Sequence, residues 1–297
     1  CVRVLVTGAS GFIGTALCGA LLKRGDQVVA WVHKNEPEVI GLERIDQLGQ
    51  LEGAIDAVVN LAGAPIADAR WSDSRKALLL SSRLDTTNAL INWMSEQTEP
   101  PKTLISGSAI GFYGACTSDQ KMTETSAPLC QDFSADLCQQ WEFEALRAEN
   151  FGVRVCLVRT GIVLGKGGAL AKMRLPFLMG GGGPIASGKQ WMPWIHLQDE
   201  VDAILHLLDR EDLSGPFNLT APDPSRNRDF VKAYAESLKR PAFMPMPGFA
   251  VDLMLGSEAS ALLTEGLRVV PQRLEESGFQ FTYPILENAL LAVAKSY

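Results

Sequence analysis

Val2-Arg3-Val4-Leu5-Val6-Thr7-Gly8-Ala9-Ser10-Gly11-Phe12-Ile13-Gly14 opens the chain and decides its fold. Val2 to Val6 is a run of β-favouring residues, and three glycines follow it at a spacing of three. Ala16, Leu17, Ala20 and Leu21 then recur at helical spacing until Lys23-Arg24-Gly25, a basic last turn closed by glycine. Gln27 to Val32 reads as a second buried strand. Strand, glycine loop, helix and strand in that order are the start of a parallel sheet.

The alternation continues outward. Residues 55–61 read as a strand, 72–97 as a long amphipathic helix closed by Pro100-Pro101, and 103–106 as a short strand. Residues 134–150 read as a helix and 153–159 as a central strand. From 165 to 188 the chain is rich in glycine, which predicts a loop over a site. Later segments read as helices (199–208, 230–238) around a strand at 217–221. The expected architecture is α/β: a Rossmann-type doubly wound parallel sheet over residues 1–165, with a smaller, partly helical C-terminal substrate lobe over 166–297. Parts of 190–222 return to the sheet.

The 297 residues carry 27 Lys+Arg against 34 Asp+Glu, a net charge of −7, with 46% hydrophobic residues. This composition buries a large core and lies far from the disordered class. The acidic balance argues against a nucleic-acid partner and against an anionic membrane surface. No apolar run reaches the ~18 residues of a membrane helix, and the early strand pattern after Arg3 predicts no secretory leader. Six scattered cysteines and three histidines show no metal-ligand spacing. They read as mostly reduced, buried thiols of a cytoplasmic protein.

The loop Thr7-Gly8-x-x-Gly11-x-x-Gly14 has the chemistry of a dinucleotide site. One glycine makes a tight turn, one lets the backbone approach a pyrophosphate, and one lets helix and strand pack closely. The phosphates sit on free N–H groups at the helix start, so Gly8, Ser10, Gly11, Phe12, Ile13 and Gly14 are expected cofactor contacts. In NAD binders a carboxylate about 20 residues on takes the ribose 2′-OH. That slot reads Trp31-Val32-His33-Lys34 here, without an acid. Val32, His33 and Lys34 therefore point to a 2′-phosphate and to NADP(H), the alternative being a solvated loop.

With this loop, Asn60-Leu61-Ala62-Gly63 and Ser106-Gly107-Ser108-Ala109-Ile110-Gly111-Phe112-Tyr113-Gly114, the chain resembles the extended, epimerase-like short-chain dehydrogenases/reductases. Arg159-Thr160-Gly161-Ile162-Val163-Leu164-Gly165 and Trp194-Ile195-His196 with Asp199 resemble further elements of that group. Trp141-Glu142, the segment around Pro193-Trp194-Ile195-His196 and the tail from Val269 to Pro284 resemble an atypical subfamily called epimerase family proteins, sometimes labelled cell division inhibitors. The resemblance implies that Leu61, Ala62 and Gly63 lie under the adenine end of the cofactor and Val163 beside the nicotinamide. It also implies hydride transfer on a small carbonyl, alcohol or sugar-like substrate. The group's usual acid/base is a Tyr-x-x-x-Lys pair, and here those slots hold Ser134 and Cys138. The alternative is thus an NADP(H)-binding regulatory or redox-sensor protein without turnover.

Candidate catalytic groups are Ser108, Ser106, Tyr113 and Cys138. A hydroxyl at a strand end can bond a substrate oxygen, but a turn-forming serine, a buried structural tyrosine and a small apolar cysteine are the plainer readings. Arg83, on the helix after Gly63, is placed to reach a cofactor phosphate or to form a surface ion pair. Trp191, Trp194 and His196, near the glycine run, suggest an aromatic wall and lid for the substrate. No metal, nucleic-acid or membrane partner is expected, and the oligomeric state, monomer or homodimer, is left open.

Overall fold

A computed structural model describes all 297 residues. In chain order the first half runs β1 (Arg3–Thr7), α1 (Phe12–Lys23), β2 (Gln27–Trp31), β3 (Glu43–Ile45), β4 (Ala57–Asn60), α2 (Asp73–Glu96), β5 (Thr103–Ala109), β6 (Ser118–Met122) and α3 (Phe133–Leu146). It continues with β7 (Arg154–Thr160), β8 (Ile162–Leu164), α4 (Gly168–Leu178), β9 (Trp191–Met192), β10 (Trp194–His196), α5 (Leu197–Asp209), β11 (Gly215–Leu219), β12 (Ser225–Arg226) and α6 (Asn227–Ser237). The tail holds α7 (Gly248–Leu255), α8 (Ser257–Thr264), β13 (Leu267–Val269), α9 (Gln272–Glu276) and α10 (Leu286–Lys295).

Seven strands form one sheet in the order β11-β7-β5-β4-β1-β2-β3, and every pairing in it is parallel. Strand periodicity splits its side chains between two cores. Val4, Val6, Val28, Ala30, Val59, Ile105 and Val158 face one way, onto Leu17 and Leu21 of α1 and Val201 and Ile204 of α5. Leu5, Val29, Val58, Leu104 and Leu157 face the other, onto Leu90, Ile91 and Met94 of α2 and Ala145 of α3. A one-residue slip of any central strand would exchange these faces, so burial on both sides fixes the register. The smaller lobe has its own core, in which Leu170 and Phe177 of α4, Trp194, Phe230 and Tyr234 of α6, and Leu290 of α10 pack together.

Caps set the long helices. Ser72 accepts from the Arg75 amide at the start of α2, and Asp132 accepts from the Ala135 amide at the start of α3. The glycine-rich 165–188 segment departs from the loop expected of it, because 168–178 is helical with Pro176 inside. Burial of Leu170 and Phe177 outweighs the local breakers there. The helix ends where Gly180 takes a φ of 81°, a conformation that suits glycine.

Four of the six thiols are free, and one pair departs from the mostly reduced set expected. Cys116 and Cys130 form a disulfide, while Cys18, Cys138 and Cys156 are buried and free and Cys1 is exposed. The 3-10 turn at 110–113 and the tight turn at Gly114 fold the excursion back, so that Tyr113 O accepts from the Leu129 and Cys130 amides. Spacing alone gave no sign of that approach. No helix is long and apolar enough to cross a membrane.

Candidate cofactor and substrate site

The site begins at the carboxyl ends of β1, β4 and β5, where backbone geometry does most of the shaping. Gly8 has a φ of 71°, and a Cβ added there would lie 2.8 Å from the Leu61 carbonyl carbon and oxygen. A Cβ at Gly14 would collide with the Gly8 carbonyl. Gly11 caps α1 with no side-chain hydrogen bond, and the first turn of α1 holds no acid. Its leading N–H groups are therefore unspent and point out of a cradle that only glycine leaves open. Phe12 closes the far side, since a Cβ at Gly165 or Gly167 would lie 2.6 or 2.7 Å from its ring. These residues fit a pyrophosphate, whose oxygens accept from helix-start amides.

Beneath the cradle, polar side chains tie the strand ends. Thr7 Oγ1 donates to Asn60 Oδ1 (2.7 Å) and accepts from the Leu61 and Ala62 amides. Asn60 Nδ2 donates to Thr87 Oγ1 (2.8 Å) and Ser106 Oγ (3.3 Å). Ser106, fully buried, is part of this lacing.

At the end of β2, Val32 is half-buried and His33 and Lys34 are exposed. The His33 ring lies 4.6 Å from that of Trp31, and burial lowers its pKa. Glu36, the nearest acid in sequence, is paired with Arg44 (3.3 Å). The strand end thus presents no free carboxylate to a ribose phosphate.

On the other side of the cleft, β5, β7 and α3 share a closed polar lattice. Ser108 Oγ donates to Glu142 Oε2 (2.6 Å), and Arg159 grips the same carboxylate through Nε (2.9 Å) and Nη2 (2.8 Å). Arg159 Nη1 donates to Tyr113 OH (3.1 Å), which donates to Asn218 Oδ1 on β11 (2.7 Å). The Asn218 amide in turn donates to Glu124 Oε2 (3.0 Å). Burial works against the Arg159 charge, but the bond and charge of Glu142 outweigh it and raise the pKa. Burial raises the Tyr113 phenol as well, only partly opposed by Arg159.

Cys138 lies one turn before Glu142, and burial, aided by the Glu142 charge, pushes its thiol up to about 12. It is a protonated, inert thiol at neutral pH. Ser134 donates to Asp132 Oδ1 (2.8 Å) and packs against Gly111. The expected proton carriers Ser108, Tyr113 and Cys138 are therefore gathered in one place, and each is at most 7% exposed. Ser106 belongs to the neighbouring lacing instead.

The remaining candidates spread out. Val163 is buried on β8 at the turn after β7. Arg83 donates to the Leu79 and Ala64 carbonyls (3.0 and 3.1 Å) and stacks 5.1 Å from the Trp141 ring. Trp191 is held between Arg226 (4.4 Å) and Arg268 (5.3 Å), and Trp194 is fully buried in the lobe core. His196 caps α5 through Nδ1, stacks 4.0 Å from Tyr283, and is lowered by burial to about 4. Sequence reading missed Glu200, buried on α5, whose pKa burial raises to about 8. Thr160 Oγ1 donates to its Oε1 (2.6 Å), and its Oε2 has no partner. An acid in the first turn of a helix after a buried strand was the available signal. Asp199 beside it accepts the Thr282 and Tyr283 amides (2.8 and 2.9 Å), tying the tail to the lobe.

Comparison with known proteins adds to this geometry. The pattern described as NAD dependent epimerase/dehydratase family matches residues 4–219, and one described as domain of unknown function (DUF1731) matches 246–293. The epimerase family protein YfhF of Bacillus subtilis is 37% identical over 297 residues, covering 97% of this chain and 96% of that one. Human epimerase family protein SDR39U1 is 36% identical over 291 residues, covering 97% and 98%. The crystal structure of human SDR39U1 (isoform 2) with NADPH superposes with a TM-score of 0.92 at 36% identity, over 99% of this chain and all of that one. A nucleoside-diphosphate sugar epimerase from Corynebacterium glutamicum gives 0.78 at 30% identity, over 99% of this chain and 58% of that one.

Proposed function

Because the chain belongs to the NAD dependent epimerase/dehydratase family, we propose that it is an NADP(H)-dependent oxidoreductase or epimerase acting by hydride transfer on a small carbonyl, alcohol or sugar-like substrate. The observation that carries this reading is the glycine cradle at Gly8, Gly11 and Gly14, open onto an uncapped helix start. A relative of 36% identity and nearly identical fold was crystallised with NADPH, which supports a nicotinamide cofactor. In this reading Ser10, Phe12 and Ile13 complete the phosphate contacts, and Leu61, Ala62 and Gly63 back the adenosine. Val32, His33 and Lys34 meet the 2′-phosphate, and Val163 lies by the nicotinamide. Residues 1–165 form the cofactor unit and 166–297 the substrate lobe, in which Trp191 and His196 shape the wall and Trp194, fully buried, backs it from the core. The protein works in the cytoplasm on a small molecule, as a monomer or homodimer.

The cofactor supplies the hydride; the chain's own residues orient the substrate. In this reading Ser108 meets the substrate, and the Glu142–Arg159 pair fixes its rotamer. Its proton is already committed to Glu142, so Ser108 positions a substrate hydroxyl by accepting from it. Tyr113 is a positioning residue within the same lattice.

One observation favours a second reading, an NADP(H)-binding regulatory or redox-sensor protein. Burial raises both Tyr113 and Cys138, and no lysine stands in the lattice to bring either down. An isotope test separates the two. The protein is loaded with NADP⁺ and C4-deuterated NADPH, a small-molecule extract is added, and mass spectrometry follows the label. Protein-dependent transfer to a metabolite, or washout from the cofactor, is the result expected of an enzyme. Tight cofactor binding with no exchange across varied extracts sinks the enzyme reading.

A further inference from the structure

Two arginines flank the end of β5, Arg159 buried and Arg83 half-buried, and only one has an acid. Arg159 is gripped by Glu142 through two hydrogen bonds. Arg83 has no carboxylate: two of its N–H groups go to backbone carbonyls, and the rest of a five-donor fork is left over. The protein has fitted closely around it all the same. A Cβ at Gly63 would lie 2.9 Å from its guanidinium carbon, and the guanidinium stacks on Trp141. Trp141 is 6% exposed, and its Nε1–H is enclosed with no acceptor. Its ring lies across Gly107, the residue before Ser108, where a Cβ would meet the indole at 2.7 Å.

A cation and a buried indole donor therefore meet at one spot of the cleft wall, and neither has a full set of acceptors. Charge-assisted bonds to an oxyanion satisfy both at once, whereas a half-buried cation and a buried indole donor left short of acceptors are costly. We propose that Arg83 and Trp141 form the seat for an oxyanionic group, a carboxylate or a phosphate, carried by the substrate beside Ser108. The assignment to substrate rests on the cofactor-and-substrate reading of this cleft. Burial pulls the Arg83 pKa down, as befits a cation still lacking its counter-charge.

Calorimetric titration of oxalate and of inorganic phosphate into the full-length protein tests the seat, with and without saturating NADPH. The wild type binds one of these probes. Arg83→Met weakens that binding about ten- to a hundredfold and Trp141→Phe, which keeps the ring, about three- to tenfold. Arg83→Met, which loses two backbone hydrogen bonds, melts lower, NADPH affinity changes less than probe affinity does, and Arg83→Lys keeps part of the probe affinity. Should Arg83→Met fail to fold, Arg83→Lys and Trp141→Phe carry the comparison. Absence of probe binding in the wild type, or equal binding across variants, overturns the proposal in favour of a buried water. Parallel loss of NADPH and adenosine 2′,5′-bisphosphate binding in Arg83→Met also overturns it, giving the arginine to a cofactor phosphate. Failure of the cofactor reading shows separately, as a wild type that binds no NADPH, and the titration without cofactor still reports on the seat.

Discussion

The two walls of the cleft recognise by opposite means. On the glycine-loop side the backbone is bare: Gly8, Gly11 and Gly14 remove side chains, and the start of α1 keeps its N–H groups unspent. On the β5–β7–α3 side nearly every polar atom is spent, because Ser108, Glu142, Arg159, Tyr113 and Asn218 satisfy one another out of water. The first wall is built to gain a ligand and the second, apart from the Arg83–Trp141 seat, to hold a shape. Loss of a residue should therefore damage binding on one side and stability on the other.

The sharpest break of this contrast is Gly14→Val, whose side chain would occupy the place of the Gly8 carbonyl. NADPH affinity should fall about a hundredfold or more while the sheet core persists, as judged by fluorescence titration beside circular dichroism. A lattice counterpart is Glu142→Ala, which strands Arg159 in a buried setting. We expect a loss of about 3–5 kcal/mol in urea unfolding with NADPH affinity changed less than about threefold in protein that remains folded. A large loss of NADPH affinity there would erase the division of labour between the walls.

Glu200, on α5 at the end of β7 and outside the lattice, offers a pH test of buried polarity. Its folded pKa, about 8, stands above that of an unfolded glutamate, so the native state binds the extra proton between those values. Stability should fall as pH rises from about 4.5 to about 8 and level off above. Glu200→Gln should flatten that decline and be the more stable protein at pH 8, by about 1–3 kcal/mol on chemical denaturation. The smallest effect is expected at the cradle's rim, where His33→Asp places a carboxylate against the 2′-phosphate. The NADPH-over-NADH preference should drop about tenfold. An unchanged preference means that Val32, His33 and Lys34 do not read the phosphate.

The contrast also explains what was legible in the sequence. Gly8, Gly11 and Gly14 obey a local rule in which spacing, preceding strand and following helix lie within a dozen residues, so the cradle could be read at once. The parallel sheet followed from the same alternation. Nothing local announces that Tyr113 will meet Asn218, 105 positions away, or that Ser108 will meet Glu142 across 34. Such pairs exist only once the strand order is set. Segment 165–188 was illegible for a related reason: its glycines and Pro176 are true breakers, overruled by a core that Leu170 and Phe177 share with α6 and α10. Arg83 was found as a candidate, but its ties to Gly63 and Trp141 lie between three separate elements.

Strand β11 has a consequence for how the protein is made. It is the edge partner of β7, yet it comes from residues 215–219, after the chain has already left the sheet to begin the smaller lobe. A nascent chain leaving the ribosome must therefore present the open edge of β7, with its unpaired amides and carbonyls, through roughly fifty further residues of synthesis. Asn218 arrives with that strand, so Tyr113 and Arg159 must wait for it too. The interval is a window for chaperone engagement or mispairing, and it closes when the chain returns to the sheet.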